Sequence, residues 1–277
     1  MQLCAIQMTT NTDISSNIAD IEQQLATLEL NQQQLVLLPE CCLFFGGKDQ
    51  AQLALAQENQ VRNSLKHRLA KLAMQYNVFL VAGSIPVLAK PQQKFTNSCF
   101  VFSPEGHELG DYDKIHLFDV AVQDSEKNYC ESRYAKAGDR VSVVNVAGVD
   151  VGLTICYDLR FPELFRQLCQ QGAKIITVPS AFTRVTGAAH WQTLLQARAI
   201  ENQVYIIAAG QEGVHGNGRE TWGHSMIINP WGEILAQQDI GKGIICADYQ
   251  EQELLQVRKA MPVATHNRFK NKLMSNE

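Results

Sequence analysis

The chain predicts an α/β fold. Two observations carry this prediction: short apolar runs recur along the whole length, and stretches with helical spacing separate them. Residues 3–8 read as a first strand. Ile14, Ile18, Ile21, Leu25 and Leu28 keep one helical face over 14–28. Residues 35–38 form a second buried strand with Glu40 just past its end. A helix is expected over 49–76, with Leu65, Leu69, Leu72 and Ala73 on one face and Lys66, His67 and Lys71 elsewhere. Strands are expected at 78–82, 95–102, 141–146 and 152–155. Pro162 and Glu163 open a helix, because proline suits the first helical position and an acid there suits the dipole; Gly172 fits its C-terminal cap. Residues 174–178 are a strand ending in Pro179-Ser180. A helix over 190–203, strands at 204–209, 224–229 and 243–248, and a short helix at 251–259 complete the pattern. Residues 260–277 make a polar tail.

With 277 residues, no linker, no charge block and no internal repeat, the chain suits a single domain over 1–277. Its 45% hydrophobic share supports a substantial core. The net charge of -4 disfavours nucleic acid and anionic membrane surfaces as partners. The eight cysteines (4, 41, 42, 99, 130, 156, 169 and 246) form no Cys-x-x-Cys pair and have no histidines at metal spacing, so no metal is expected. They lie largely in apolar runs of a long chain, which suggests reduced thiols in a cytoplasm. The N-terminus has no basic leader before an apolar core, and no apolar run approaches membrane-spanning length.

The most informative stretch is 151–164, VGLTICYDLRFPEL. An apolar strand stops at Cys156-Tyr157-Asp158, and a helix opens at Pro162. A thiol at a strand-to-helix turn is offered to backbone N–H groups, which favour thiolate and can hold an oxyanion. The competing reading is a buried structural cysteine, the common fate of free thiols. Other chemistries fit poorly. Gly223-His224-Ser225-Met226-Ile227 lacks the closing glycine of a serine elbow, Gly216 and Gly218 have no third glycine, and no P-loop or His-Glu-x-x-His occurs. His215 and His224 read as local hydrogen-bonding residues. Trp191, Trp222 and Trp231 read as packing.

Three separated motifs tip the balance. Leu35-Val36-Leu37-Leu38-Pro39-Glu40, Tyr112-Asp113-Lys114-Ile115-His116 and the Cys156 stretch together resemble the nitrilase superfamily of carbon–nitrogen hydrolases, over nearly the whole chain. Alternation alone would allow a doubly wound sheet; the resemblance implies a four-layer αββα sandwich. It implies Cys156 as nucleophile, Glu40 as general base and Lys114 as oxyanion-stabilising cation beside the Tyr157 backbone N–H. Glu131 would orient the lysine. Burial at a strand end would raise the Glu40 pKa. Without the resemblance, Glu40, Lys114 and Glu131 would read as surface charges. Cys156-Tyr157-Asp158, Pro179-Ser180-Ala181-Phe182-Thr183, Thr186-Gly187 and Asn229-Pro230-Trp231-Gly232 resemble the amidase branch rather than true nitrilases.

That branch opens the terminal amide of a 2-oxoglutarate-type acyl group. The variant here points to deaminated glutathione, with 2-oxoglutaramate as the alternative and a non-catalytic binding relative as a third possibility. A 2-oxo acid needs a cation or amide donors for its carboxylate; Arg184 and Thr186 are candidates, Arg184 equally readable as solvated. No cofactor is expected, since the reaction needs only protons and water. The resemblance further implies a homodimer or larger oligomer, with 268–273 as a tail that crosses to the partner or stays loose.

Overall fold

The computed structural model describes residues 1–29, 32–48, 50–62, 64–89, 93–122 and 128–274. Along the chain, β1 (Gln2–Gln7) leads through α1 (Ile14–Leu25) to β2 (Gln34–Leu37). The helices α2 (Ala51–Arg62) and α3 (Ser64–Tyr76) lead to the long β3 (Phe79–Leu88), then β4 (Phe95–Phe102) and β5 (Glu108–Asp113). Two short strands, β6 (Asp119–Ala121) and β7 (Asn128–Cys130), pair with each other. After β8 (Val143–Val146), β9 (Val149–Leu153) and α4 (Pro162–Gln170) come β10 (Ile175–Ser180), α5 (Arg184–Asn202) and β11 (Tyr205–Gly210). The hairpin β12 (Glu212–Val214) and β13 (Glu220–Trp222) precedes β14 (Ser225–Ile228), β15 (Ile234–Gln238) and β16 (Gly243–Asp248). Two helices, α6 (Glu251–Ala260) and α7 (Val263–His266), end the ordered elements.

The strands build two six-stranded sheets, β16-β1-β2-β3-β4-β5 and β15-β14-β11-β10-β9-β8. Side chains alternate across a strand, so β1 sends Leu3 and Ala5 to one face and Cys4 and Ile6 to the other. Leu3, Ala5, Leu37 and Val101 of the first sheet join Leu153, Val178, Ala208 and Met226 of the second in one buried cluster. Cys4, Ile6, Val36 and Leu80 instead pack on Ile21 and Leu25 of α1 and Leu65, Leu69 and Leu72 of α3. The second sheet is covered in turn by Leu164, Phe165 and Leu168 of α4 and Trp191 and Leu195 of α5. The result is the αββα sandwich. Strands buried on both faces read as unbroken apolar runs, which is why the central ones show in the sequence.

Direction places the site. In the first sheet β1, β2 and β3 are parallel, β4 is antiparallel to β3, and β5 is antiparallel to β4. So β5 runs with β2, and their C-terminal ends share one edge. In the second sheet β9, β10 and β11 are parallel. Loops after parallel strands collect at the carboxyl edge, where open α/β sheets form their sites.

The helix expected over 49–76 is two helices. The Asn59 side chain accepts hydrogen bonds from Leu65 N (3.0 Å) and Ser64 Oγ (3.2 Å), capping α3 as a separate start. Residue 49 itself lies outside the described residues. The helix expected from 190 begins earlier, at Arg184, capped by the Thr183 side chain.

Candidate active site

Glu40, Lys114 and Cys156 stand just beyond strands of the sandwich, and Glu131 just beyond the short β6–β7 pair. After β2, Leu38 N still bonds Val81 O (2.9 Å), and the chain then turns at Pro39-Glu40. The turn fits because β3 has a register shift between Ala82 and Ile85 and carries Gly83 there. A Cβ on Gly83 would lie 2.0 Å from the Leu38 carbonyl oxygen. The next residue, Ser84, accepts the Cys41 N–H on its Oγ (2.8 Å), fixing a turn in which Cys41 has φ +56°. Lys114 follows β5 directly, with its N–H on Asn97 O (3.0 Å) and its carbonyl taking the Gly138 N–H (2.9 Å). Cys156 opens a 3₁₀ turn, Cys156–Arg160, after β9. Glu131 opens another, Glu131–Arg133, after β7.

These four side chains meet. Lys114 Nζ donates to Glu40 Oε1 (2.9 Å) and Glu131 Oε2 (2.9 Å). Glu40 Oε1 also accepts from Asn97 Nδ2 (3.0 Å), and Oε2 accepts the Ala181 N–H (3.0 Å). The Cys156 thiol lines the same cavity wall as Glu40 and Ala181, close enough for the Glu40 charge to act on it. Glu131 is held by the Phe118 N–H (2.8 Å). The Cys156 turn is tied to the lysine segment through Asp158, which is fully buried. Its carboxylate accepts from Ile155 N (2.8 Å), Tyr112 Oη (2.7 Å) and His116 N (3.1 Å), and bonds His116 Nδ1 (2.7 Å).

Burial decides the electrostatics. Glu40 is 4% exposed and Lys114 2%. Burial pushes the Glu40 carboxyl up. The Lys114 ammonium, with its hydrogen bond, outweighs it and holds the group below the usual carboxylate range. This corrects the raised value expected from the strand-end position alone, which left out the cation. Burial drags Lys114 down, but Glu131 and Glu40 raise it well above an ordinary lysine. Burial, then the Glu40 charge, push the Cys156 thiol up, so at rest it is a protonated thiol beside an ionised carboxylate.

A cavity of about 270 Å³ opens over these groups, lined among others by Glu40, Lys114, Cys156, Tyr157, Phe182 and Thr186. The carbon–nitrogen hydrolase model matches residues 2–259. The chain belongs to the carbon–nitrogen hydrolase family. Among relatives of this hydrolase, a protein from Yersinia enterocolitica called deaminated glutathione amidase is 39% identical over 97% of this chain and 93% of its own length. The human protein called omega-amidase NIT2 is 33% identical over 96% of this chain and 95% of its own. The crystal structure of the Caenorhabditis elegans NitFhit protein superposes with a TM-score of 0.88 at 33% identity. That match covers 96% of this hydrolase, which spans 65% of the nematode chain.

The structure brings Glu40, Lys114, Glu131, Cys156 and Tyr157 to one cavity, with Thr186 on its wall. Arg184 is placed differently from the loop position expected. It is the first residue of α5, its Nε pairs with Glu220 at 3.0 Å, and it is not among the described residues lining the cavity. Asn97 and Asp158 were given no role from the sequence. Asn97 left little signal, since Thr96 and Ser98 flank it in a polar stretch of β4; Asp158 left one, an acid two residues beyond the thiol.

Proposed function

We propose that this carbon–nitrogen hydrolase is a thiol amidase acting on a 2-oxoglutarate-type acyl amide, foremost deaminated glutathione, which it splits to 2-oxoglutarate and cysteinylglycine. The observation that carries the reading is the Glu40–Lys114–Glu131 network lining one cavity with the Cys156 thiol. The names of the bacterial and human relatives support the acyl class, and the human one supports 2-oxoglutaramate as the second substrate to compare.

The geometry suits a covalent route. Sulfur attacks the amide carbon while Glu40 takes the thiol proton. The carbonyl oxygen becomes an oxyanion between Lys114 and the Tyr157 N–H. As that anion draws on the ammonium, Lys114 stabilises the Glu40 carboxylate less, and Glu40 holds its proton better. The C–N bond then breaks, Glu40 gives the proton to the leaving nitrogen, and a thioester remains. Water attacks it with Glu40 as base, and the sulfur leaves to be reprotonated. Glu131 keeps Lys114 charged and aimed.

The partners of this reading are the small amide and a second copy of the chain. The exposed Ile200 and Trp231 give an apolar patch for that copy. A reducing cytoplasm suits eight free thiols. The test is turnover of deaminated glutathione against 2-oxoglutaramate by the purified protein and Cys156→Ala. The expected result is a higher kcat/KM on deaminated glutathione and none above background in the variant. Full activity in Cys156→Ala removes the thioester route, and a large preference for 2-oxoglutaramate reverses the substrate order.

A further inference from the structure

Arg219 lies in the turn between β12 and β13 and lines the cavity. Its guanidinium sits over two rings from opposite parts of the chain, 5.0 Å from the Phe45 centroid and 4.9 Å from that of Tyr129. One nitrogen, Nη2, donates to the Ala181 carbonyl (3.0 Å). Nε is shielded from solvent and has no hydrogen-bond partner among the described residues. No carboxylate of the described residues pairs with this guanidinium. The other cations of the cavity are engaged or out in solvent. Lys114 is shared by Glu40 and Glu131, Arg160 bonds His190 Nδ1 (3.3 and 3.4 Å), and Lys48 and Arg133 are exposed.

A buried donor left unused is destabilising, so a partner is called for. A guanidinium with its faces against rings is fixed in orientation, and its in-plane N–H groups suit a planar bidentate acceptor. Charge balance points the same way. Glu40, Glu131 and Lys114 sum to one negative charge, which would repel an anionic substrate. Arg219 offsets it from close by, because Ala181 gives its N–H to Glu40 and its carbonyl to Arg219. We infer that Arg219 is a specificity-determining residue: clamped by Phe45 and Tyr129, it receives a carboxylate of the substrate. The inference rests on the amidase reading for the occupant of the cavity. Two carboxylates could supply this chemistry, that of the 2-oxo acyl part and that of the glycine end of the leaving part.

The test is protection of Cys156 from iodoacetamide, read by peptide mass spectrometry, with each rate referred to the same variant's unprotected rate. 2-Oxoglutarate represents the acyl end and alanylglycine, which has no thiol, the leaving end. At least one should protect the intact protein. Arg219→Gln should need tenfold or more higher concentration of that ligand, and Arg219→Lys should recover only part, since a lysine keeps charge without the stacked fork. Phe45→Leu should fall between. The ligand whose protection is lost identifies the end that Arg219 binds. Equal protection in Arg219→Gln and the intact protein, or no protection of the intact protein by either ligand, overturns the inference. Normal protection with neither amide turned over would instead count against the amidase reading.

Discussion

At Cys156 the backbone has φ +50°, a left-handed conformation that costs a non-glycine residue roughly 1–2 kcal/mol. The Asp158 carboxylate holds it there by gripping Ile155 N, while Tyr112 and His116 reach the same carboxylate from the lysine segment. The Cys156 turn and the Lys114 segment therefore share one buried anchor. Lys114 also sets the protonation of Glu40. Because the lysine lowers the carboxyl, Glu40 stays ionised down to below about pH 4.5. The acid limb of kcat/KM should accordingly lie below that pH, and a limb near 6 would contradict the geometry. In Lys114→Met the largest cause opposing burial is gone, so the limb should move up, with kcat down by about 10²–10³ for a lost oxyanion donor. His215 makes a stability prediction. Burial holds its imidazole down at about 4 against 6.5. A depressed histidine contributes stability that is present above 6.5 and lost as pH falls toward 4. By pH 5 the loss is about 2 kcal/mol. His215→Gln should show a smaller fall in urea midpoint between pH 7.5 and 5; an unchanged fall would assign the acid sensitivity elsewhere.

Among elements, the β3 irregularity does the positioning that no single site residue could. Gly83 lets the Leu38–Pro39 backbone pass at contact distance, and Ser84 then catches Cys41. Gly83→Ala puts a methyl against two carbonyl oxygens, Leu38 at 2.0 Å and Pro39 at 2.4 Å. It should cost about 1–3 kcal/mol of stability and lower kcat as Glu40 shifts; urea unfolding and steady-state kinetics measure both, and wild-type kinetics would show that the turn does not depend on this approach. The same level explains what the sequence revealed. β2 and β11 are buried on both faces, so they read as apolar runs and the acid after β2 stands out; the thiol stands out after the buried end of β9. β5, ELGDYD, and β15, ILAQQ, are partly exposed edges with mixed composition, so no period marks them. The early start of α5 was hidden by Gly187, which reads as a breaker. In the fold a Cβ there would meet the Trp222 Cβ at 2.3 Å, so the glycine serves close packing inside the helix. Arg219 was illegible because its importance lies in two rings more than eighty residues away along the chain.

For the molecule as a whole, the exposed apolar residues are not scattered evenly. Ile200 is 49% exposed and Trp231 59%, and Ile200 lies against Gly232, so the two are neighbours. If a second copy covers this patch, Ile200→Glu with Trp231→Glu should shift sedimentation from a larger species to the monomer; an unchanged profile would place the interface elsewhere. The return of β16 to the first sheet has another consequence. β16 pairs with β1 from Gln2↔Asp248 to Gln7↔Gly243, so the opening strand acquires its outer neighbour only from the far end of the chain. At about 5–20 residues per second a ribosome needs roughly 10–50 s to synthesise the intervening segment. During that interval β1 presents an open, doubly apolar edge, the kind of surface that templates intermolecular pairing. The nascent chain is thus most in need of a holding chaperone well before the thiol, the base and the lysine have been brought together.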